Sequence, residues 1–219
     1  MTKQKAIVDT CLLQKISSNG KYAGNIKKIF DNLDYILVAH RYVVDHEFGL
    51  HSYIKRLIDE GYITTIEYDE FFGEDDFSRM IYETQFEAIY NEMRNYLQRK
   101  GGIKQMPKLV IPNGKDIYSH HIQGSSMGDV HMIIMASFMR IPVFLSDDFD
   151  IGLLRDIAKR RLSLSSYQLK IVNSFNLLVQ IAENPDVKMT HKEFETIVKQ
   201  TGERENWKTI NAIWNSKRI

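Results

Sequence analysis

The sequence predicts an α/β fold with a mainly parallel sheet, on three observations. Short apolar runs at 6–8, 35–38, 142–145 and 170–172 are too brief for helices and do not alternate with polar residues, the mark of strands covered on both faces. Between them lie stretches with apolar residues at helical spacing. Two of the runs stop at acids: Val8 leads into Asp9, and Leu145 into Ser146-Asp147-Asp148.

Ala6-Ile7-Val8 reads as a buried strand and Ser17-Ser18-Asn19-Gly20 as a turn. Residues 24–30 read as a helix, 35–38 as the second strand, 40–48 as a helix, and the β-branched and aromatic run 61–66 as a further strand. The segment 67–77 mixes acids with aromatics. A long helix follows to Lys100, with Met80, Ile81, Phe86, Ile89, Tyr90, Met93 and Leu97 as its apolar set and Gly101-Gly102 as its stop. Leu109 to Gly114 reads as a short strand and turn. The span 125–140 is a strong helix with Ser125-Ser126 as caps, 142–145 a strand, 151–161 a helix and 170–172 the last strand. Helices at 175–182 and 192–199, parted by Asn184-Pro185-Asp186 and the second opened by Thr190, precede a helical tail from Glu205.

With 29 basic and 28 acidic residues the chain has no global attraction for nucleic acid, so any such binding needs a local patch. Its one cysteine, Cys11, rules out an internal disulfide and fits a reducing compartment. No run approaches the ~18 apolar residues of a membrane span, and no signal-peptide core follows the N-terminus, so the cytoplasm is the expected location.

Sites in open α/β sheets form at the carboxyl ends of strands, which draws attention to Asp9, Asp147 and Asp148. An Asp there also serves as a turn former or cap. Glu47 shares a helical face with Val43 and Val44, where a carboxylate is unexpected without a charged partner, although at the stripe's edge it reaches water; Asp45 belongs to the solvated face. Asp129 heads the helix Gly128 to Ala136, where the helix dipole by itself favours an acid. Carboxylates crowded together do not all stay ionised without a cation. Mg2+ or Mn2+ suits oxygen ligands and activates water toward a phosphodiester.

The ordered set Ile7-Val8-Asp9-Thr10, Val43 with Glu47, Gly128-Asp129 with Ala136, and Val143-Phe144-Leu145-Ser146-Asp147-Asp148 resembles the PIN domain family, in its VapC-like and predicted nucleic-acid-binding variety, over roughly residues 5–66 and 105–200. The resemblance implies a Rossmann-like sheet with acids at one rim, binding Mg2+ or Mn2+ and cutting single-stranded or structured RNA. It implies Asp9, Glu47 and Asp129 as the first three metal-binding acids and either Asp147 or Asp148 as the fourth, with Thr10 or Ser146 orienting a carboxylate or water. Asp129 is one carbon shorter than the Glu usual there. It further implies one PIN-like domain over 1–200, with 67–104 as an added helical segment and 201–219 as a helical tail. A toxin-like endoribonuclease with an antitoxin-like protein partner, or a homodimer, belongs to the same resemblance. The alternative is a weak or inactive PIN-like module that binds nucleic acid or protein.

Other signals are weaker. His46 and His51 stand five apart, roughly 140° out of line on a helix, which excludes the zinc-protease pattern. His120-His121 reads as an exposed loop pair that could meet phosphate, and Cys11 as a buried structural thiol. The cluster Arg155, Lys159, Arg160 and Arg161 is either a backbone-binding patch or a solvated face; Lys27-Lys28 and Arg99-Lys100-Lys104 are further candidates.

Overall fold

A computed structural model describes residues 3–73, 75–100, 106–162 and 166–218. Strand β1 (Gln4–Val8) is followed by helices α1 (Thr10–Ser17) and α2 (Gly24–Phe30), strand β2 (Tyr35–His40), α3 (Arg41–His46), a 3-10 turn at Phe48–Leu50 and α4 (Ser52–Asp59). Strand β3 (Ile63–Ile66), α5 (Asp69–Phe72) and the long α6 (Asp76–Lys100) come next. Then come α7 (Met127–Met139), β4 (Val143–Leu145), α8 (Asp150–Arg161), β5 (Lys170–Val172), α9 (Ser174–Glu183), α10 (His191–Gln200) and α11 (Trp207–Ser216).

The five strands form one all-parallel sheet in the order β3-β2-β1-β4-β5, a Rossmann-like α/β arrangement as the apolar runs predict. Register aligns the carboxyl ends: Val8 pairs with Leu145, Leu145 with Val172, and His40 with Ile66. Connections move outward from β1 to β3, then reverse to β4 and β5. The right-handed crossover rule therefore puts α1 and α2 on one face and α7 and α8 on the other. Helices α9 to α11 pack with the first set and α6 with the second. One set of buried apolar side chains runs through both layers.

The chain departs from the sequence reading in definable ways. Helices α1 and α4 were not expected. Helix α1 buries Leu12, Leu13 and Ile16 and is closed by Ser18, which takes the left-handed conformation. Helix α3 stops at His46, leaving Glu47 just beyond it with φ −123° and ψ −57°. No strand forms at 109–111, where Val110 is exposed; the turn at Asn113-Gly114 does form. Ser126, expected as a cap, has left-handed backbone and no capping bond, and Ser125 Oγ accepts from the Met127 N–H instead. Helix α6 buries Tyr82 in place of Met80, which is exposed. The Gly101-Gly102 stop and Lys104 lie outside the described residues. Thr190 opens α10 through a full capping box with Glu193.

A buried polar chain ties β2, α6 and α7 together. His40 Nδ1 accepts from the Tyr42 N–H (3.0 Å), so its proton sits on Nε2, 3.2 Å from the Tyr82 hydroxyl. That hydroxyl donates to His131 Nδ1 (2.6 Å), whose Nε2–H donates to the Ile117 carbonyl (3.0 Å). One end can only donate and the other only accept, so every tautomer is fixed and both rings are neutral. Burial pushes both imidazoles down, His131 to about 3. The unfolded chain binds the His131 proton with an ordinary pKa of 6.5. Its contribution to stability is therefore lost as pH falls from 6.5 toward 3, by about 1.4 kcal/mol per pH unit.

NMR titration of the imidazoles is expected to show His131 neutral down to about pH 3, and a midpoint near the ordinary value would contradict the chain. Tyr82→Phe, which strands both ring nitrogens, is expected to cost about 1–3 kcal/mol in denaturant unfolding.

Candidate functional site

In open parallel sheets, ligands bind outside the carboxyl ends of strands where the strand order reverses. Here that place is the exit of β1, between β2 and β4. A cleft of about 360 Å3 opens there, lined by Asp9, Thr10, Cys11, Glu47, Gly128, Asp129 and Asp148, with His46, His51 and His121. Four of the five acids singled out in the sequence thus line one cavity, from chain positions 19 to 139 apart. Among the described residues that line it there is no lysine or arginine.

Each acid is held by its own neighbours. Asp9, the N-cap residue of α1, is buried; its Oδ2 accepts from Ser146 Oγ and from Cys11 Sγ, both at 2.7 Å. Register explains the first bond: Val8 lies level with Leu145, and the Asp9 N–H donates to the Leu145 carbonyl (3.0 Å), so Ser146 falls beside Asp9. Ser146 Oγ also accepts from the Asp148 N–H (3.0 Å). Burial pushes the Asp9 carboxyl above its ordinary range, the Cys11 and Ser146 bonds pull it back, and the charge of Asp148 adds to the rise. Glu47 Oε2 accepts from Thr10 Oγ1 at 2.7 Å. Burial pushes Glu47 up to about 7, opposed by the Thr10 bond and reinforced by Asp9. Its Oε1 lies where a side-chain carbon on Gly128 would stand, so the glycine before Asp129 makes room for the Glu47 carboxylate.

Asp147 does not join them. Side chains alternate at a strand exit, so Ser146 faces Asp9 and Asp148 lines the cleft, while Asp147 turns away. It meets Lys15 Nζ (3.0 Å) and Ser174 Oγ (2.9 Å). Lys15 also pairs with Glu203 (2.7 Å), so Asp147 helps tie α1 to the segment before α11. The fourth acid lining the cleft is Asp148; Asp147, also expected among the metal ligands, lies apart from the other four.

The basic candidates are also elsewhere. Arg160 and Arg161 both pair with Glu92 of α6, Lys27 with Glu60, and Arg155 with Asp156. Arg155 and Lys159 line a separate hollow of about 310 Å3 with Tyr167 and Gln168. Conversely, His121 is more than a loop residue: it lines the cleft and stacks on His46, with ring centroids 5.3 Å apart. His51, bonded to Gln14 (2.9 Å), also faces it. Cys11 is half-buried and bonded to Asp9 rather than an inert core thiol. Helical spacing reveals none of these, because tertiary packing alone places them.

The oxygen-rich donors suit a hard cation such as Mg2+ or Mn2+. Among the described residues no three His, Cys, Asp or Glu side chains stand close enough to hold one ion as they are. A metal would draw the acids inward or keep waters in its shell, as Mg2+ does. No protein-family model matches the chain, and no curated protein or solved structure shows significant similarity to it. Fold and cleft therefore define a Rossmann-like α/β protein with an acid-lined crevice at its switch point. No described helix is long and apolar enough to cross a membrane.

Glu47 binds its proton more tightly folded than unfolded, about 7 against 4.5. Its contribution is present below pH 4.5 and is lost as pH rises through about 7, a difference of about 3 kcal/mol. Without divalent ions, Glu47→Gln is expected to raise the unfolding midpoint at pH 8 and not at pH 4.5. Added Mn2+ should stabilise the native protein more than this variant. Equal gains at both pH values, with identical Mn2+ shifts, would contradict the assignment. Gly128→Ala is expected to keep the fold and weaken the Mn2+ shift.

Proposed function

We propose that this chain is a divalent-metal-dependent nuclease, an endoribonuclease that hydrolyses RNA phosphodiester bonds at the acid-lined cleft. What carries the reading is the gathering of Asp9, Glu47, Asp129 and Asp148 at the switch point with no lysine or arginine among the described lining residues. Such a cleft repels a phosphodiester unless a cation enters it. The two carboxyls that burial pushes up gain most from one. The same positions carry the PIN resemblance, and the choice of RNA rests on that resemblance.

Asp9, Glu47, Asp129 and Asp148 would hold Mg2+ or Mn2+. When bound, such an ion acidifies water and offsets charge on the transferring phosphoryl oxygens. Ser146 and Cys11 aim one oxygen of Asp9, and Thr10 aims one of Glu47, so neither carboxylate has to be ordered as substrate arrives. Gly128 leaves the Glu47 oxygen its place. Reading the protein as a cytoplasmic enzyme with an antitoxin-like partner or as a homodimer follows the resemblance and the free thiol of Cys11.

Purified protein with Mn2+ is expected to cleave single-stranded RNA, and Asp9→Asn and Asp148→Asn to reduce the rate at least about 100-fold with the fold intact. Asp147→Asn should leave the rate within a few-fold while lowering the unfolding midpoint, because it removes one of the two carboxylates that Lys15 pairs with. Cleavage that survives Asp9→Asn would defeat the proposal. So would folded protein that binds RNA but cleaves it with none of the divalent metals supplied, the behaviour of a binding module. DNA in the same assay separates the two nucleic acids.

A further inference from the structure

One ring, His121, lines the cleft, and another, Phe149, follows the cleft acid Asp148 in the chain; the chemistry of metal and water uses neither. Phe149, next to Asp148, is 100% exposed. A phenyl ring left wholly in water costs free energy that folding ordinarily recovers. Its neighbours are polar, and Ile151 two residues on is buried in the core, so the chain could have placed a polar residue there at no loss to packing. His121 is also exposed, but fixed. Tyr42 Oη donates to the His120 carbonyl (2.9 Å), so the 3.1 Å contact between Tyr42 Oη and His121 Nδ1 is an imidazole N–H donating to the phenol. The His121 ring lies nearly parallel to His46, with 10° between their planes. His46 is itself held by its Nε2 against the Tyr118 carbonyl (3.2 Å) and by packing on Tyr42. Burial and the neighbouring His46 and His120 push the His121 imidazole below its ordinary range, so it offers a neutral ring rather than a cation for phosphate.

Topology sets these rings apart. His46 follows β2 and Phe149 follows β4, and β1, which carries Asp9 at its exit, lies between those strands. The exit of β1, with Asp9, therefore lies between the segments that carry the two ring groups. We infer that Phe149 and His121 are stacking platforms for unpaired nucleobases on either side of the phosphate that the acids address, so that the cleft accepts a strand with splayed bases and not a duplex. Planar rings recognise every base through its π-face, and single strands are commonly bound this way. A duplex keeps its bases stacked inside and could not use either ring. The inference deepens the nuclease reading and rests on it for the class of ligand.

The test is fluorescence anisotropy with a fluorescein-labelled oligoadenylate hexamer, alone and annealed to its complement, in Ca2+ to supply a hard cation. Wild-type protein is expected to bind the single strand more tightly than the duplex. Phe149→Ala and His121→Ala should each weaken strand binding at least about fivefold, while Phe149→Trp retains it. Both alanine variants should keep the wild-type Mn2+ stabilisation, which shows the acids undisturbed. Unchanged affinity in either alanine variant, equal affinity for duplex and strand, or no strand binding by the wild type would overturn the inference. Phe149 serves a protein partner instead if its loss abolishes protein association and leaves strand affinity as it was. Wild-type RNA cleavage with Mn2+, scored separately, distinguishes the two failures. Cleavage with unaltered strand affinity in the variants sinks the platforms alone. Ring-dependent binding without any cleavage sinks the nuclease reading alone.

Discussion

Burial of the Asp9 carboxyl at the exit of the central strand is the constraint around which the site is built. A carboxylate taken out of water is costly unless something replaces its hydration. Besides a bond from the Cys11 backbone, the side-chain donors to its Oδ2 among the described residues are the Ser146 hydroxyl and the Cys11 thiol. Both are neutral, and Asp148 and Glu47 add negative charge nearby. The fold thus assembles an electrostatic deficit and places it where the parallel sheet changes direction. The rest of the cleft takes its meaning from that deficit.

Keeping the deficit in place falls to packing some distance from the acids. Tyr42 is fully buried, lies 4.3 Å from the His131 ring and 4.4 Å from His46, and anchors the 120–121 loop through its hydroxyl. The neutral chain from His40 through Tyr82 to His131 locks α6 and α7 onto the end of β2. Because Glu47 directly follows α3 and Asp129 lies in the first turn of α7, any slack in these contacts would move two of the four carboxylates. The long helix α6 is therefore part of the scaffold under the site and not a separate appendage: Tyr82, Phe86 and Ile89 are fully buried in the common core.

The sheet was legible because its strands are short, uninterrupted apolar runs whose ends carry polar residues, as at Val8-Asp9 and Leu145-Ser146. The same cue misled at Leu109-Val110-Ile111, since a short apolar run alone does not specify a strand. Helix α1 was hidden because its first residues, Thr10 and Cys11, carry no strong helix propensity and its apolar stripe is only Leu12, Leu13 and Ile16. Among the acids, Asp9 and the Asp147-Asp148 pair could be picked out at strand ends, Asp129 at a helix start, and Glu47 on an apolar helical face. The choice between Asp147 and Asp148 could not, because it depends on the alternation at the β4 exit and on Lys15 reaching across from α1. Residues that act through three-dimensional neighbours, such as Gly128 under Glu47 or His121 on His46, left no signal at any sequence spacing.

The most direct measurement is a crystal of the protein soaked in Mn2+ and examined for anomalous scattering. A peak is expected in the cleft within about 2–2.5 Å of a carboxylate oxygen of Asp9 and of at least one among Glu47, Asp129 and Asp148. No peak at saturating Mn2+, or one confined to Asp147 or to the hollow beside Arg155, would contradict a metal-bound role for these acids.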